Sequence, residues 1–191
     1  MDPNNERDSL YWSAFKEGDL EAYSSLYNLY YRPLNNYGFK FTRDASTIED
    51  SIQDLFVRLW KNRKNLGYPF SIRHYLYKSM RNILFRKIKT ESRFFDLTKD
   101  DESIPFVTSY DHQLIQDEEE NRLQQMIKEV LLKLSPRQQE IIYFRFYDGL
   151  SYEEIADIMN ISVNSAYKLL YKALEAISVK SLKSLRSLSG S

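Results

Sequence analysis

The stretch Gly149-Leu150-Ser151-Tyr152-Glu153-Glu154-Ile155-Ala156-Asp157-Ile158-Met159-Asn160-Ile161-Ser162 holds two helix starts in close succession. Ser151 and Glu154 form a Ser-x-x-Glu capping box, in which each side chain accepts from an orphan amide at the helix start. Leu150, just before the cap, can staple onto Ile155 across it. The helix so begun carries Ala156, Ile158 and Met159 and stops at Asn160. Ser162 caps the next helix, whose inward stripe is Val163, Ala166, Leu170, Ala173, Leu174 and Ile177. A short helix, a tight turn and a second helix, with small Ala156 where the two must approach closely, is a helix-turn-helix. In that arrangement the first turns of the second helix enter the major groove. The outward positions there are Asn164, Ser165, Lys168 and Tyr171, with Tyr167 and Lys172 at the margins. Short polar side chains and a lysine can meet base edges and phosphates. Tri-helical modules that bind only proteins share this pattern, so it does not by itself decide between the two partners.

Upstream, Ser135-Pro136-Arg137-Gln138 places a capping serine, a proline at the first helical position and a glutamine at the third. Ile141, Ile142, Phe144 and Phe146 carry that helix to Asp148-Gly149, where glycine supplies a left-handed stop. Leu123, Ile127, Val130, Leu131 and Leu134 form an amphipathic stripe before it. Residues 92 to about 118 lack sustained periodicity, are rich in acids and contain Pro105; they read as a flexible acidic linker.

The front half is also helical. Asp19 caps a helix through Leu20, Tyr23, Leu26, Tyr30, Leu34 and Tyr37, which Pro33 is expected to kink or end. Ser46 and Glu49 form a further capping box, followed by the stripe Ile48, Ile52, Leu55, Phe56 and Leu59. The opposite face runs from Glu49, Asp50, Gln53 and Asp54 to Arg58 and Lys61, acidic at its start and basic at its end, as the helix dipole favours. After a turn at Asn65-Leu66-Gly67-Tyr68-Pro69, a helix from about Ser71 to Lys89 buries Ile72, Tyr75, Leu76, Met80, Ile83 and Leu84.

Charge is segregated along this half. From Leu55 to Thr90 there is no acid but ten lysines and arginines, whereas the next thirty positions hold ten acids against Arg93 and Lys99. The basic block also contains Trp60, Tyr68, Phe70, Tyr75, Tyr77 and Phe85. Cations neutralise phosphates and aromatic faces accept unstacked bases, so two basic helices flanking an aromatic loop can grip a single strand. A solvated basic helix face over an aromatic core explains the same composition.

Composition narrows the class. The chain has 191 residues, formal net charge zero, few glycines and prolines, and no cysteine, which excludes disulfides and thiolate metal sites. No apolar run reaches the ~20 residues that cross a bilayer. The start, Met1-Asp2-Pro3-Asn4-Asn5-Glu6, does not read as a signal peptide, and the cytoplasm is the expected compartment. His74 and His112 have no metal-ligand spacing, and the five glycines form no phosphate loop. No catalytic residue, metal site or cofactor is expected. The expected fold is all-α: two small helical domains joined by a flexible acidic linker, the second a helix-turn-helix.

Taken in order, these motifs resemble the extracytoplasmic-function group of sigma-70 factors. The resemblance rests on Phe15-Lys16-Glu17-Gly18-Asp19, Ala22-Tyr23, Leu26-Tyr27, Glu49-Asp50-Ser51-Ile52-Gln53-Asp54-Leu55-Phe56-Val57-Arg58-Leu59-Trp60, Tyr75-Leu76-Tyr77 and Arg81-Asn82. It continues through Leu134-Ser135-Pro136-Arg137-Gln138-Gln139-Glu140, Gly149 to Ala156, Ile161-Ser162 and Lys172-Ala173-Leu174. Tyr167-Lys168-Leu169-Leu170-Tyr171-Lys172-Ala173-Leu174 is most like members from the Bacteroidetes. The chain departs from many members at Asn164-Ser165-Ala166, where they have glycine-threonine-valine, and at Leu169, where they have arginine.

The resemblance implies an RNA polymerase sigma factor that recognises and melts promoter DNA as part of holoenzyme. Residues 1–91 would be region 2, 92–118 the linker, 119–178 region 4 and 179–191 a tail that extends the last helix or frays. Glu49, Asp50, Gln53 and Asp54 would dock on the clamp helices of core RNA polymerase's largest subunit, and the flap would be a second contact. Lys61, Arg63, Lys64, Tyr68, Arg73, Lys78, Arg81, Asn82 and Arg86 would bind and melt the start-proximal promoter element and hold a flipped base. Arg137, Ser162, Asn164, Ser165, Tyr167, Lys168, Tyr171 and Lys172 would meet the upstream element as duplex. The acidic linker would run where nascent RNA later passes. An anti-sigma factor is a further implied partner, and the free protein is expected to be a monomer. The competing readings are a dimeric helix-turn-helix regulator that needs no polymerase, and a partner-binding adaptor without DNA readout.

Overall fold

The computed structural model describes residues 3–93, 104–106, 129 and 131–188. Among these residues the regular structure is helical throughout, and the chain divides into two units, Met1–Asp101 and Glu102–Ser191.

The first unit contains α1 (Pro3–Glu17), α2 (Leu20–Gly38), α3 (Ala45–Asn62), a 3-10 turn (Arg63–Asn65) and α4 (Ile72–Arg93). Helices α1 with α2, α2 with α3, and α3 with α4 pack as neighbours, and α4 also meets α1 and α2. Their inward stripes supply the core: Trp12 and Phe15 from α1, Leu26, Leu34 and Tyr37 from α2, Ile48, Ile52, Leu55 and Phe56 from α3, Leu76, Met80 and Leu84 from α4. Rings fill it edge to face, as the aromatic quadrupole prefers: Tyr37 meets Tyr77 at 5.1 Å and Phe41 meets Phe85 at 4.9 Å. At Gly38 the backbone of α2 comes so close to α3 that a Cβ would lie 2.6 Å from Ile48 Cγ2.

Three features of this unit differ from the sequence reading. Helix α1 lies before the first expected helix; its apolar positions Leu10, Tyr11, Trp12 and Phe15 show no clean stripe, and Leu10 is exposed. Pro33 does not end α2, which continues to Gly38. Helix α3 starts two residues early, capped by Asp44 rather than Ser46. The Asp44 carboxylate accepts from Ser46 N at 3.0 Å and from the Thr47 hydroxyl at 2.7 Å, two bonds that a serine at 46 cannot match.

The second unit contains α5 (Pro136–Ile142), a π-helical turn (Tyr143–Tyr147), α6 (Tyr152–Ile158) and α7 (Val163–Leu188). Both expected capping boxes are present: Ser135 with Gln138, and Ser151 with Glu154. The π turn closes at Asp148-Gly149, where Gly149 has φ 67°, and Asn160 ends α6 with φ 54°. Buried Ile141, Phe144, Ile155, Ala156, Ile158, Ala166, Leu170 and Ala173 form the tri-helical core. Leu131 and Leu134 pack on Ala173, with Ile142, Ala176 and Ile177 beside them. Most of the expected linker and the stripe from Leu123 to Ile127 lie outside the described residues. Residues 92–93, at the end of α4, and 104–106 are described, and of these Ile104 and Phe106 are informative. Both are buried, and Phe106 meets Tyr143 edge-on at 6.0 Å, while Pro105 between them is exposed. At the other end, α7 carries the described backbone of the expected tail to Leu188.

Candidate nucleic-acid interface

The sequence joins α3 to α4 through Leu66-Gly67-Tyr68-Pro69-Phe70-Ser71, a loop that leaves Tyr68 67% and Phe70 93% exposed. Helix α4 then starts with Ser71 Oγ accepting from His74 N at 3.2 Å. Because α3 and α4 pack side by side, their basic residues line a common groove. An open cavity of about 290 Å³ lies there, bordered by Arg58, Leu59 and Asn62 of α3, Leu66 of the loop, and Tyr75, Ser79, Asn82 and Arg86 of α4. A neighbouring hollow adds Asp54, Lys87 and Thr90. Guanidinium groups, two primary amides and a phenol around one hollow offer phosphate contacts, base-edge hydrogen bonds and a ring face.

The expected strand-binding residues separate on this surface. Lys61, Lys64, Tyr68, Asn82 and Arg86 are exposed, and Arg73 and Lys78 are half-buried. Arg63 is half-buried, with its guanidinium 4.2 Å from the Trp60 ring centroid and Nη1 donating to Trp60 O at 2.7 Å. Arg81 lies apart from these residues. It is 3% exposed, with its guanidinium 4.0 Å from the Phe85 ring centroid one turn on, which removes it from the outward basic face. Arg58 and Asn62, absent from the expected set, line the cavity instead; only pairing α3 with α4 brings them beside Asn82.

The loop is fastened from the far end of the unit. Trp12 Nε1 donates to Gly67 O at 3.0 Å. Lys16 Nζ donates to Leu66 O and stands 4.1 Å from the Tyr68 ring centroid. These partners lie 55 and 50 positions apart in sequence, beyond any local pattern.

Of the expected polymerase-binding residues, Glu49, Asp50 and Gln53 are exposed along α3, while Asp54 is half-buried and paired with Lys87 at 3.0 Å. Deeper in the unit, Tyr30 donates to the buried Asp8 carboxylate; burial and then this bond push the Tyr30 phenol far above its ordinary range.

In the second unit, Ser162 Oγ accepts from Ser165 N at 3.1 Å and lies 2.8 Å from Ser165 Oγ, so the expected cap forms. Asn164, Ser165, Lys168, Tyr171 and Lys172 are exposed. Tyr167 is half-exposed and stacks on Tyr152 with centroids 3.8 Å apart, while Arg145 covers Tyr152 at 4.9 Å. Arg137 is half-buried and directs Nη2 to Met159 O, 3.5 Å away at the end of α6. Among the described residues no group of acids or histidines could hold a metal ion, and no helix is long and apolar enough to cross a membrane.

Comparison with known proteins agrees with this architecture. The profiles for Sigma-70 region 2 and for Sigma-70, region 4 match residues 26–94 and 124–177, together more than half of the chain. The chain is 28% identical to the RNA polymerase sigma factor YlaC of Bacillus subtilis (strain 168) over 160 residues, 80% of this chain and 88% of that protein. It is 24% identical to the ECF RNA polymerase sigma factor SigW of the same organism over 173 residues, 85% and 90% of the two chains. Among solved structures, the sigma factor RpoE in complex with the anti-sigma factor NepR from Bartonella quintana shares the fold, with TM-score 0.60 and 17% identity over 84% of this chain and 97% of that one. CnrH in complex with the cytosolic domain of CnrY does so with TM-score 0.58 and 17% identity, over 91% and 96%. A helical unit matched by region 2, followed by a helix-turn-helix unit matched by region 4, makes this chain an RNA polymerase sigma factor of the sigma-70 family, in its extracytoplasmic-function group.

Proposed function

We propose that this sigma factor opens promoters by drawing one strand of the start-proximal element across the α3–α4 groove and seating an extruded base beside the Leu66–Ser71 loop. The observation that carries this is the cavity lined by Arg58, Asn62, Tyr75, Asn82 and Arg86 next to exposed Tyr68 and Phe70. Unstacking a base costs a few kcal/mol, and a hollow with amides and a ring face offsets part of that cost. Lys61, Lys64, Arg73 and Lys78 follow the phosphates, Arg63 does so from its place on Trp60, and Arg81 supports Phe85 from within.

On this reading residues 1–91 act as region 2, 92–118 as an acidic linker and 119–178 as region 4, with 179–191 a tail. Glu49, Asp50, Gln53 and Asp54 dock on the clamp helices of core polymerase, and region 4 meets its flap. Asn164, Ser165, Lys168, Tyr171 and Lys172 face the upstream duplex element, Ser162 caps their helix, and Tyr167 and Arg137 steady it. The protein works in the cytoplasm, is a monomer when free and needs no cofactor. An anti-sigma factor holds it inactive; the solved relatives bound to such partners support that. The Tyr167–Leu174 stretch supports a Bacteroidetes affiliation.

Run-off transcription tests the proposal. Core polymerase with this protein should select and transcribe fragments from a randomised promoter library, with permanganate-reactive thymines upstream of the start. Transcription without those reactive thymines would exclude the strand-capture role, and failure to bind core polymerase would exclude the docking role.

A further inference from the structure

We infer that Trp12 and Lys16 of α1 are positioning residues for promoter opening, acting through the backbone of the strand-binding loop. The inference rests on the proposed role of that loop and adds what holds it ready. The loop spans Leu66 to Ser71, and two consecutive carbonyls at its start are captured from α1: Gly67 O by the Trp12 indole N–H at 3.0 Å and Leu66 O by the Lys16 ammonium. Trp12 is 1% exposed and its ring meets Tyr75, at the start of α4, edge-on at 5.5 Å. One indole therefore ties the start of the loop to the helix that follows it. The Lys16 ammonium stands over one face of Tyr68, so a base stacks on the other.

Fixing the backbone of a single residue costs about 1–2 kcal/mol of conformational entropy. A loop already ordered by α1 does not incur that cost when the strand arrives, so capture is faster and tighter. The Lys16 bond is charge-assisted and stronger than a neutral one, and the Trp12 bond is shielded by burial. Gly67 itself is not sterically required, since a Cβ there would have no neighbour within 4 Å. The anchor is the carbonyl, not the absence of a side chain.

The test uses holoenzyme assembled from core polymerase and the full chain, on a promoter selected as above. Wild type is compared with Trp12→Phe, which keeps an aromatic ring but removes the donor with the pyrrole half of the indole, with Lys16→Met, which keeps the stem and removes the charge, and with Lys16→Arg. Open-complex formation, read by permanganate, should slow by about tenfold in Trp12→Phe and in Lys16→Met. Lys16→Arg should remain within about twofold of wild type, because a cationic donor is restored. Core-polymerase affinity of Lys16→Met should stay at the wild-type value, and its thermal midpoint should fall only by the loss of one hydrogen bond. Wild-type opening rates in both Trp12→Phe and Lys16→Met would overturn the inference; so would failure of Lys16→Arg to rescue. If Trp12→Phe does not fold, the Lys16 pair decides alone. Loss of opening in the wild type itself would instead strike the proposed role of the loop.

Discussion

Lys87 Nζ lies 3.0 Å from Asp54 Oδ2, an ion pair that ties the basic helix α4 to the acidic flank of α3. It joins a residue proposed to meet polymerase to one beside the nucleic-acid groove. Both side chains are partly exposed, 28% and 47%, so the pair contributes at most about 1 kcal/mol to stability. Asp54→Asn should therefore shift the urea midpoint little while weakening core-polymerase binding by about fivefold. The exchange Asp54→Lys with Lys87→Asp should restore the pair but not polymerase affinity. Recovery of that affinity in the exchange would mean that Asp54 acts only through Lys87.

Gly38 marks the closest approach of α2 and α3. A methyl group there meets the fully buried Ile48 at 2.6 Å, so the side chain or the helix must shift within the core. Gly38→Ala should destabilise the protein by about 1–3 kcal/mol, as overpacked cores do, with a lower urea midpoint. Gly38→Ala combined with Ile48→Ala, which removes both γ carbons that the methyl meets, should cost less than the sum of the two single changes; a Gly38→Ala variant as stable as wild type would contradict the packing.

Asp44 gives α3 a pH dependence. Hydrogen bonds from the Thr47 side chain, then the Thr47 and Ser46 amides, hold its carboxyl below the usual range despite a small opposing desolvation. A carboxyl depressed on folding adds stability that is fully present above its unfolded pKa and is lost as pH falls through the folded value. Asp44→Ala should thus lower the thermal midpoint at neutral pH, and the gap to wild type should narrow below about pH 4. A gap that is constant from pH 7 to pH 3 would show that the charge contributes nothing.

The Tyr152–Tyr167 stack holds the first turns of α7 against α6. Tyr167→Phe preserves both rings and should keep stability and upstream-duplex affinity close to wild type. Tyr167→Ala removes the stack, worth about 0.5–1.5 kcal/mol beyond area, and should reduce both. Equal loss of duplex affinity in the two variants would instead assign a direct DNA contact to the hydroxyl.

Net charge zero, with acids before residue 55 and after residue 90 flanking a one-signed basic block, leaves the free chain without a long-range field toward DNA. Promoter duplex should bind the free chain weakly, bind a chain lacking residues 92–118 more tightly, and bind holoenzyme most tightly, all at one salt concentration. Tight binding by the free full chain, unchanged by the deletion, would show that the acidic segments do not offset the block.

Local chemistry written in adjacent residues was legible without coordinates. The caps at Asp19, Ser135, Ser151 and Ser162 each need only a side chain and an amide two or three positions on, and the stop at Gly149 needs only its own backbone freedom. The helix-turn-helix, the two-part helical organisation and the segregation of charge followed from such short-range signals. What the tertiary structure decided is which outward-looking residues face outward together. Arg81 goes inward because Phe85 lies one turn ahead of it in a packed core, and Arg58 and Asn62 join Asn82 because α3 lies against α4. Above all, Trp12 and Lys16 reach Gly67 and Leu66 only because α1, a helix without a clean apolar stripe, folds back onto the loop. Backbone carbonyls carry no sequence identity, so a contact made to them leaves no trace in the string of residues.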